Sequence, residues 1–168
     1  LQDTFGMNMV ALVDGQPRVI TLKEAIEAFI DHRREVIRRR SEFDLEKARE
    51  RAHILEGLLK ALEDMDRVIA TIRAAGSADE AKTALQEAPL SLSERQAQAV
   101  LDMQLRRLAR LEREAIETEH AELTELIAEL EDLLANPGKI DGLINEDGAD
   151  LKEKYGDARR TQVFTQPV

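Results

Sequence analysis

The sequence holds no cysteine and no tryptophan, and aromatic residues make up only 3% of it. Without cysteine there are no disulfides and no thiolate metal sites, a composition that suits a reducing compartment, so a cytoplasmic protein is expected. With so few aromatics the chain lacks the material for the deep apolar centre of an ordinary enzyme domain. No apolar run approaches the roughly 18 to 20 residues a bilayer-crossing helix needs, so no membrane contact is expected. The charge is far from basic: the formal net charge is -10, and from Leu111 to Lys154 fourteen acidic residues face four basic ones. That stretch repels DNA phosphates and anionic lipid.

Catalytic signatures are missing as well. There is no phosphate-binding glycine loop, nucleophile elbow or zinc-protease helix. His32, His53 and His120 show no metal-ligand spacing, and each sits among long charged neighbours, which marks surface or edge positions. Asn145, Asp147 and Gly148 could fill positions three, five and six of a calcium loop, but Leu143 and Lys154 would then stand at positions one and twelve, where neither can chelate. Tyr155, the single tyrosine, ends an apolar stripe beside Gly156 with no base or carboxylate cluster implied nearby, and reads as a packing residue. No catalytic residue and no metal ligand is therefore assigned. The start, Leu1-Gln2-Asp3-Thr4, has neither an initiator Met nor a signal-like pattern, so a piece of something longer is expected.

What the chain has in abundance is helix former. Ala, Glu, Lys, Leu and Arg supply just over half of it, the signature of long helices or coiled coils. Phe5, Met7, Met9, Ala11 and Val13 fall at every second position and end in Asp14-Gly15 before Arg18-Val19-Ile20, which predicts a short β-hairpin. Thr21-Leu22-Lys23-Glu24 fits a capping box that opens a helix. Its apolar positions run Leu22, Ile26, Phe29, Ile30, Val36, Ile37 and Phe43, then shift to Leu45, Ala48, Ala52, Leu55, Leu59 and Leu62. Helical from Leu22 to about Glu63, it would be roughly 63 Å long at 1.5 Å per residue.

Shorter helices follow, one capped by Asp66, one opened by Ser77-Ala78-Asp79-Glu80, and one opened by Ser93-Glu94-Arg95-Gln96. The last carries Ala97, Leu101, Leu105 and Leu108 on one face and Val100, Met103 and Arg107 on another, so it should serve two partners. A second long seam, Ile116, Leu123, Leu126, Ile127, Leu130, Leu133 and Leu134, stops at Asn136-Pro137-Gly138. The final helix shows Ile140, Leu143, Ile144, Leu151 and Tyr155, and a strand is expected over Arg160 to Phe164. Two long seams need each other. The expected fold is mainly α: a long antiparallel coiled coil with a small helical knob at its tip and a short β element at its base. The parts are the hairpin at 1–20, the first long helix at 21–64, the knob at 65–110, the returning helices at 111–156 and a strand with tail at 157–168. A knob of this kind favours contact with its own copy, since closed homodimers are the commonest assembly.

Arg33, Arg34, Arg38, Arg39 and Arg40 are the one cluster dense enough for DNA phosphates. Glu35 can pair with Arg38 and Arg39 at three and four residues' spacing, and the five arginines spread around the helix instead of lining one face.

Several runs say more than the periodicities. Phe5 to Pro17 (FGMNMVALVDGQP) closely resembles the segment leading into the coiled coil of the bacterial DNA gyrase A-subunit family. So do His32 to Ile37 (HRREVI), Arg49 to Leu58 (RERAHILEGL), Glu80 to Leu85 (EAKTAL), Ser93 to Asp102 (SERQAQAVLD) and Tyr155 to Thr161 (YGDARRT). They stand in the family's order over nearly the whole chain. The parallel subunit of topoisomerase IV shares this architecture, and the Phe5 to Pro17 run favours gyrase. The link from Ala88 to Ser93 is shorter than in family members with an insertion there. The resemblance implies the arm and exit-gate knob of a type IIA topoisomerase, with the nucleophilic tyrosine before this segment and the DNA-wrapping domain after it. Tyr155 then matches an aromatic position at the arm's foot. Implied partners are a second copy through the knob, double-stranded DNA and the gyrase B subunit. ATP and magnesium are implied for the B subunit, and no cofactor for this chain, which should have no activity alone. The expected dimer contacts are Gln96, Ala99, Val100, Met103, Gln104 and Arg107. Two other readings are a free-standing coiled-coil adaptor and a DNA-binding module with strongly salt-dependent affinity.

Overall fold

The computed structural model describes residues 6, 8–13, 15–103 and 110–161. The fold is mainly α. Strand β1 (Met9–Val13) and strand β2 (Gln16–Ile20) pair antiparallel, with Met9 opposite Ile20 and Val13 opposite Gln16. Gly15 in the link has a φ of +75°, a left-handed conformation that glycine adopts without a Cβ clash. Six helices follow: α1 (Leu22–Glu63), α2 (Met65–Ala74), α3 (Ala78–Gln86), α4 (Glu94–Leu101), α5 (Arg110–Ala135) and α6 (Pro137–Tyr155).

Helix α1 starts where the capping box demands. The Thr21 N–H donates to Glu24 Oε2 at 2.7 Å, and the Glu24 N–H donates to Thr21 Oγ1 at 3.2 Å. The Thr21 N–H foremost, and the Thr21 hydroxyl that also donates to Oε2, hold the Glu24 carboxyl below its ordinary value. Ser93 and Gln96 form a full box at α4. At α3 the box is displaced by one residue: Ser77 accepts from the Glu80 N–H, but Glu80 reaches back to the N–H of Gly76. Asp64, not Asp66, occupies the N-cap of α2, and Asp66 lies in its first turn.

The chain divides into two compact units, and the border crosses α1. One unit comprises residues 1–40 and 136–168, the other residues 41–135. In the first, Ala25, Ile30, Arg33 and Ile37 are the half-buried positions of α1, while α6 buries Ile140. Of the apolar side chains expected to line the seam here, Ile30 and Ile37 do so, whereas Leu22, Ile26, Phe29 and Val36 are exposed, Phe29 at 59%, and so is Phe43 of the other unit. The half-buried line includes Arg33 between Ile30 and Ile37, because Asp147 on α6 receives its guanidinium. The strand expected from Arg160 does not form at Arg160 or Thr161, and Val163 and Phe164 lie outside the described residues.

In the second unit α1 buries Ser41, Leu45, Ala48, Ala52 and Leu55, alternate steps of four and three that keep one stripe facing one way. Helix α5 answers with Ile116, His120, Leu123, Ile127, Leu130 and Leu134 at the same alternation, all buried or half-buried. Leu126, placed in that seam by its spacing, is 41% exposed. The antiparallel sense follows from the cross-ties, since Arg49 reaches Glu131 while Glu56, seven residues further along α1, faces His120. Toward its C-terminus α1 also meets α2, α3 and α4. Leu55, Leu58, Ala61, Val68, Leu85, Ala97, Val100 and Ile116 form one core there, joined by Leu90 and Leu92 from the α3–α4 link.

Leu55 and Leu85 are fully enclosed. Leu55→Ala should lower the unfolding free energy by about 2–5 kcal/mol, as cavity-forming core changes do. A chemical-denaturation midpoint equal to that of the unaltered chain would show that Leu55 is not part of the core.

Candidate functional site

The sequence offers two places to look, the outer face of α4 and the arginine-rich stretch of α1. The expected contact residues of α4 do not share one surface. Val100 is 4% exposed and belongs to the core, and Gln96 is 8% exposed. Neither offers area to a second molecule, because both face α1 and its neighbours. Ala99 and Met103 are half-buried and pack against the rim of the core, which leaves part of each accessible. The helix ends at Leu101, where the sequence predicts a run to Leu108, and the Met103 N–H donates to the Val100 carbonyl in a closing turn. Gln104, Leu105, Arg107 and Leu108 lie outside the described residues.

Gln96 has a demanding set of partners. Its Oε1 accepts from the Ser93 N–H at 2.9 Å, and its Nε2 donates to the His53 carbonyl of α1 at 2.7 Å. The same Nε2 lies 3.4 Å from His53 Nδ1, while His53 Nε2 lies 2.8 Å from Ser93 Oγ. One arrangement satisfies all four: Nδ1 accepts from the Gln96 amide and the Nε2–H donates to the serine oxygen. Beneath the amide is Gly57. A Cβ there would stand 2.5 Å from Gln96 Cγ and 2.6 Å from Gln96 Cβ. A glycine inside a helix costs about 1 kcal/mol relative to alanine. Here the close approach of α4 requires it. On either side, Arg95 donates to Glu50 and Lys82 to Glu94, both at 2.8 Å. These ties hold the Glu50 and Glu94 carboxyls below their ordinary values. The sequence signal for this site was available in one form, Gly57 standing alone as a breaker within the 42 residues of α1.

His53 is exposed, in keeping with an edge position. His120 is not: it occupies the α5 seam, with its Nε2 buried, lacking a hydrogen-bond partner and 3.6 Å from Glu56 Oε1. A polar residue at a seam step cannot be recognised from apolar periodicity alone.

The arginines are tied down. Arg33 donates to Asp147 at 2.5 Å, and Arg34 to Asp141 at 2.7 and 3.3 Å in a forked contact. Arg34 also reaches Asp31, and Arg38 makes a forked contact with Glu35. Arg39 and Arg40 are exposed. The hydrogen bond that Arg34 donates to Asp141 is the main cause that raises the Arg34 guanidinium above its ordinary value, and the same bond holds the Asp141 carboxyl below its own. The Arg33 and Arg34 contacts join α1 to α6 within one unit and Glu35 holds Arg38 within α1, so Arg33, Arg34 and Arg38 already have carboxylate partners that a phosphate would have to displace. An open groove of about 480 Å³ lies beside them, between Phe29 and Arg33 of α1 and Asp147 and Leu151 of α6. It brings no nucleophile against a base. Among the described residues no three His, Asp or Glu side chains come together as a metal site, and no helix is long and apolar enough to cross a membrane.

Residues 1–148 match the family model for the DNA gyrase/topoisomerase IV A subunit. The chain is 53% identical over 163 residues to the DNA gyrase A subunit of Clostridium acetobutylicum, covering 97% of this chain and 20% of that one. It is 51% identical over all 168 residues to the DNA gyrase A subunit of Dehalogenimonas lykanthroporepellens, again 20% of the relative's length. With the Staphylococcus epidermidis protein of the same name it shares 50% over 163 residues, 97% of this chain and 18% of the other. The chain thus spans about a fifth of the length of the curated relatives it matches.

Two outcomes follow from the arginine contacts. Asp141 has a depressed folded-state value, so its contribution to stability is present above the ordinary carboxyl value of 3.8 and is lost as pH falls through the folded one. In Arg34→Gln, an NMR titration should find Asp141 back near 3.8. An unmoved titration would dismiss Arg34 as its partner. Replacing Arg33, Arg34 and Arg38 together by Gln should leave duplex-DNA binding and its salt slope as they were. A slope smaller by about one for each arginine removed would assign them phosphate contacts.

Proposed function

Since the chain belongs to the family of DNA gyrase and topoisomerase IV A subunits, we propose that it supplies the coiled-coil arm and the homodimeric exit gate of a type IIA topoisomerase. In this reading the whole enzyme cuts one duplex, passes a second through the break with ATP consumed on the B subunit, and lets it leave between two copies of this segment. The chain contributes no chemistry to the cut. It holds two subunits together while the DNA is open, and then parts.

The observation that carries the reading is the way the C-terminal part of α1 is used. One stripe zips against α5, and the same helix runs on into the floor of a small core made with α2, α3 and α4. Arg49 to Glu131 and Arg51 to Glu119 tie the two long helices across the outside of the seam. Such exposed pairs add little stability, but they favour one register over its neighbours. The core then presents Ala99 and Met103 at the end of α4. A gate that must reopen suits a small contact of this type, nearer the low end of stable interfaces than a fused core. The net charge of -10 agrees with a passage wall that repels a departing duplex instead of retaining it.

The test is the mass of the chain in solution. Sedimentation equilibrium should give a dimer, and Met103→Glu should give a monomer, because a carboxylate buried in an apolar contact without a partner is strongly disfavoured. A Met103→Glu chain that keeps the dimer mass would exclude this end of α4 from the gate.

A further inference from the structure

We propose that Gln96, Gly57 and His53 form a polar latch that fixes the seat of α4 on α1 and so sets the strength of the contact between two copies. The inference rests on the exit-gate reading given above. Gln96 lies among the residues expected at the contact, yet it points the other way. Its amide accepts from the N-cap of its own helix and donates to a backbone carbonyl of another. A single side chain therefore closes the start of α4 and bolts that start to α1. His53 adds a second bolt beside the first, through Ser93 Oγ, which also accepts from the Gln96 N–H.

Three features separate this arrangement from ordinary packing. Apolar contacts tolerate sliding, whereas a carboxamide held at both ends has one position in which both bonds are made. The seat is cut to fit. Only at a glycine can the Gln96 side chain lie so close over the α1 backbone, since a Cβ at 57 would fall within 3 Å of its Cβ, Cγ and Cδ. The third feature is leverage. Ala99 lies nearly one turn beyond Gln96, about 4.5 Å along the helix, and Met103 follows just past the helix end, so a tilt at the latch displaces both. Gln96, Gly57 and His53 act as positioning residues, since they touch the partner only through the helix they hold.

The partner in this inference is a second copy of the chain. The structure supplies a matched pair of changes for the test. Gly57→Ala inserts a methyl group where Gln96 lies, and Gln96→Ala removes the obstructing side chain. Each alone should raise the dimer dissociation constant about tenfold, the effect of leaving the contact-competent seat of α4 only about a tenth populated. Combined, they should be no worse than Gln96→Ala alone, because the new methyl then occupies vacated space. Gln96→Met keeps the volume without the amide, and should weaken the dimer to a similar degree with its helix content retained by circular dichroism. It serves as the deciding variant should Gly57→Ala fail to fold.

Sedimentation at several concentrations reads all of these. A dimer whose dissociation constant is the same in Gln96→Met as in the unaltered chain overturns the latch and leaves the gate reading standing. Strictly additive effects of Gly57→Ala and Gln96→Ala also overturn it. An unaltered chain that stays monomeric at every concentration overturns the gate reading, and the latch with it.

Discussion

A helix of 42 residues has no way to bury its own apolar stripe, and the organisation of this chain follows from that constraint. Ser41, Leu45, Ala48, Ala52 and Leu55 recur at steps of four and three, so they face one direction over four turns and need a cover of equal length and matching period. Helix α5 supplies it. Small residues at Ser41, Ala48 and Ala52 let the two helices approach, while the larger Leu45 and Leu55 provide the apolar area. Once that pairing is set, the chain between the two helices must turn back within a limited length. The short helices α2, α3 and α4 do so, and in turning they enclose Leu55, Leu58 and Ala61 at the end of the same stripe.

Charge does a different job from apolar burial here. The cross-helix pairs Arg49–Glu131, Arg51–Glu119 and Glu50–Arg95 are all half-exposed, with side chains between about 40% and 60% accessible. Pairs so exposed are screened by solvent and weak one by one. Their value lies in register. A slip of the seam by one heptad would retain most of the apolar contacts but would set these charges against the wrong neighbours. The same logic governs Arg33 and Arg34 against Asp147 and Asp141 in the other unit, where they flank the half-buried Ile30 and Ile37.

Gln96 shows how a polar residue can be the most constrained part of an interface between helices. Leu85 and Ala97 are even more enclosed, but neither specifies an orientation. A buried carboxamide does, because any rotation or shift leaves a donor or an acceptor unsatisfied at a cost larger than the bond is worth when made. Gly57 beneath it is the complementary device, a weak point in a helix retained because the backbone there must be approached closely.

Much of this was legible in the primary sequence, and the reason is that helices are local. Capping boxes at Thr21 and Ser93, the breaker at Asn136-Pro137 and the four-three spacing of Leu45, Ala48, Ala52 and Leu55 are fixed by bonds and angles within a few residues, so α1, the start of α4, the α5–α6 break and the mainly α fold could be read directly. The quoted runs carried the family in the same way. What stayed hidden depends on neighbours distant in sequence. Phe29 and Phe43 look like seam residues and are exposed, Arg33 looks like a surface charge and lies in the half-buried line, and His120 fills a seam step, because the covering helix decides which side of a helix is inside. Gln96 and Val100 look outward by spacing and turn inward for the same reason. Composition and spacing therefore determined which segments are helical, and the quoted runs which family they belong to, while only tertiary contact decided which face each helix buries and that Gln96 packs onto Gly57.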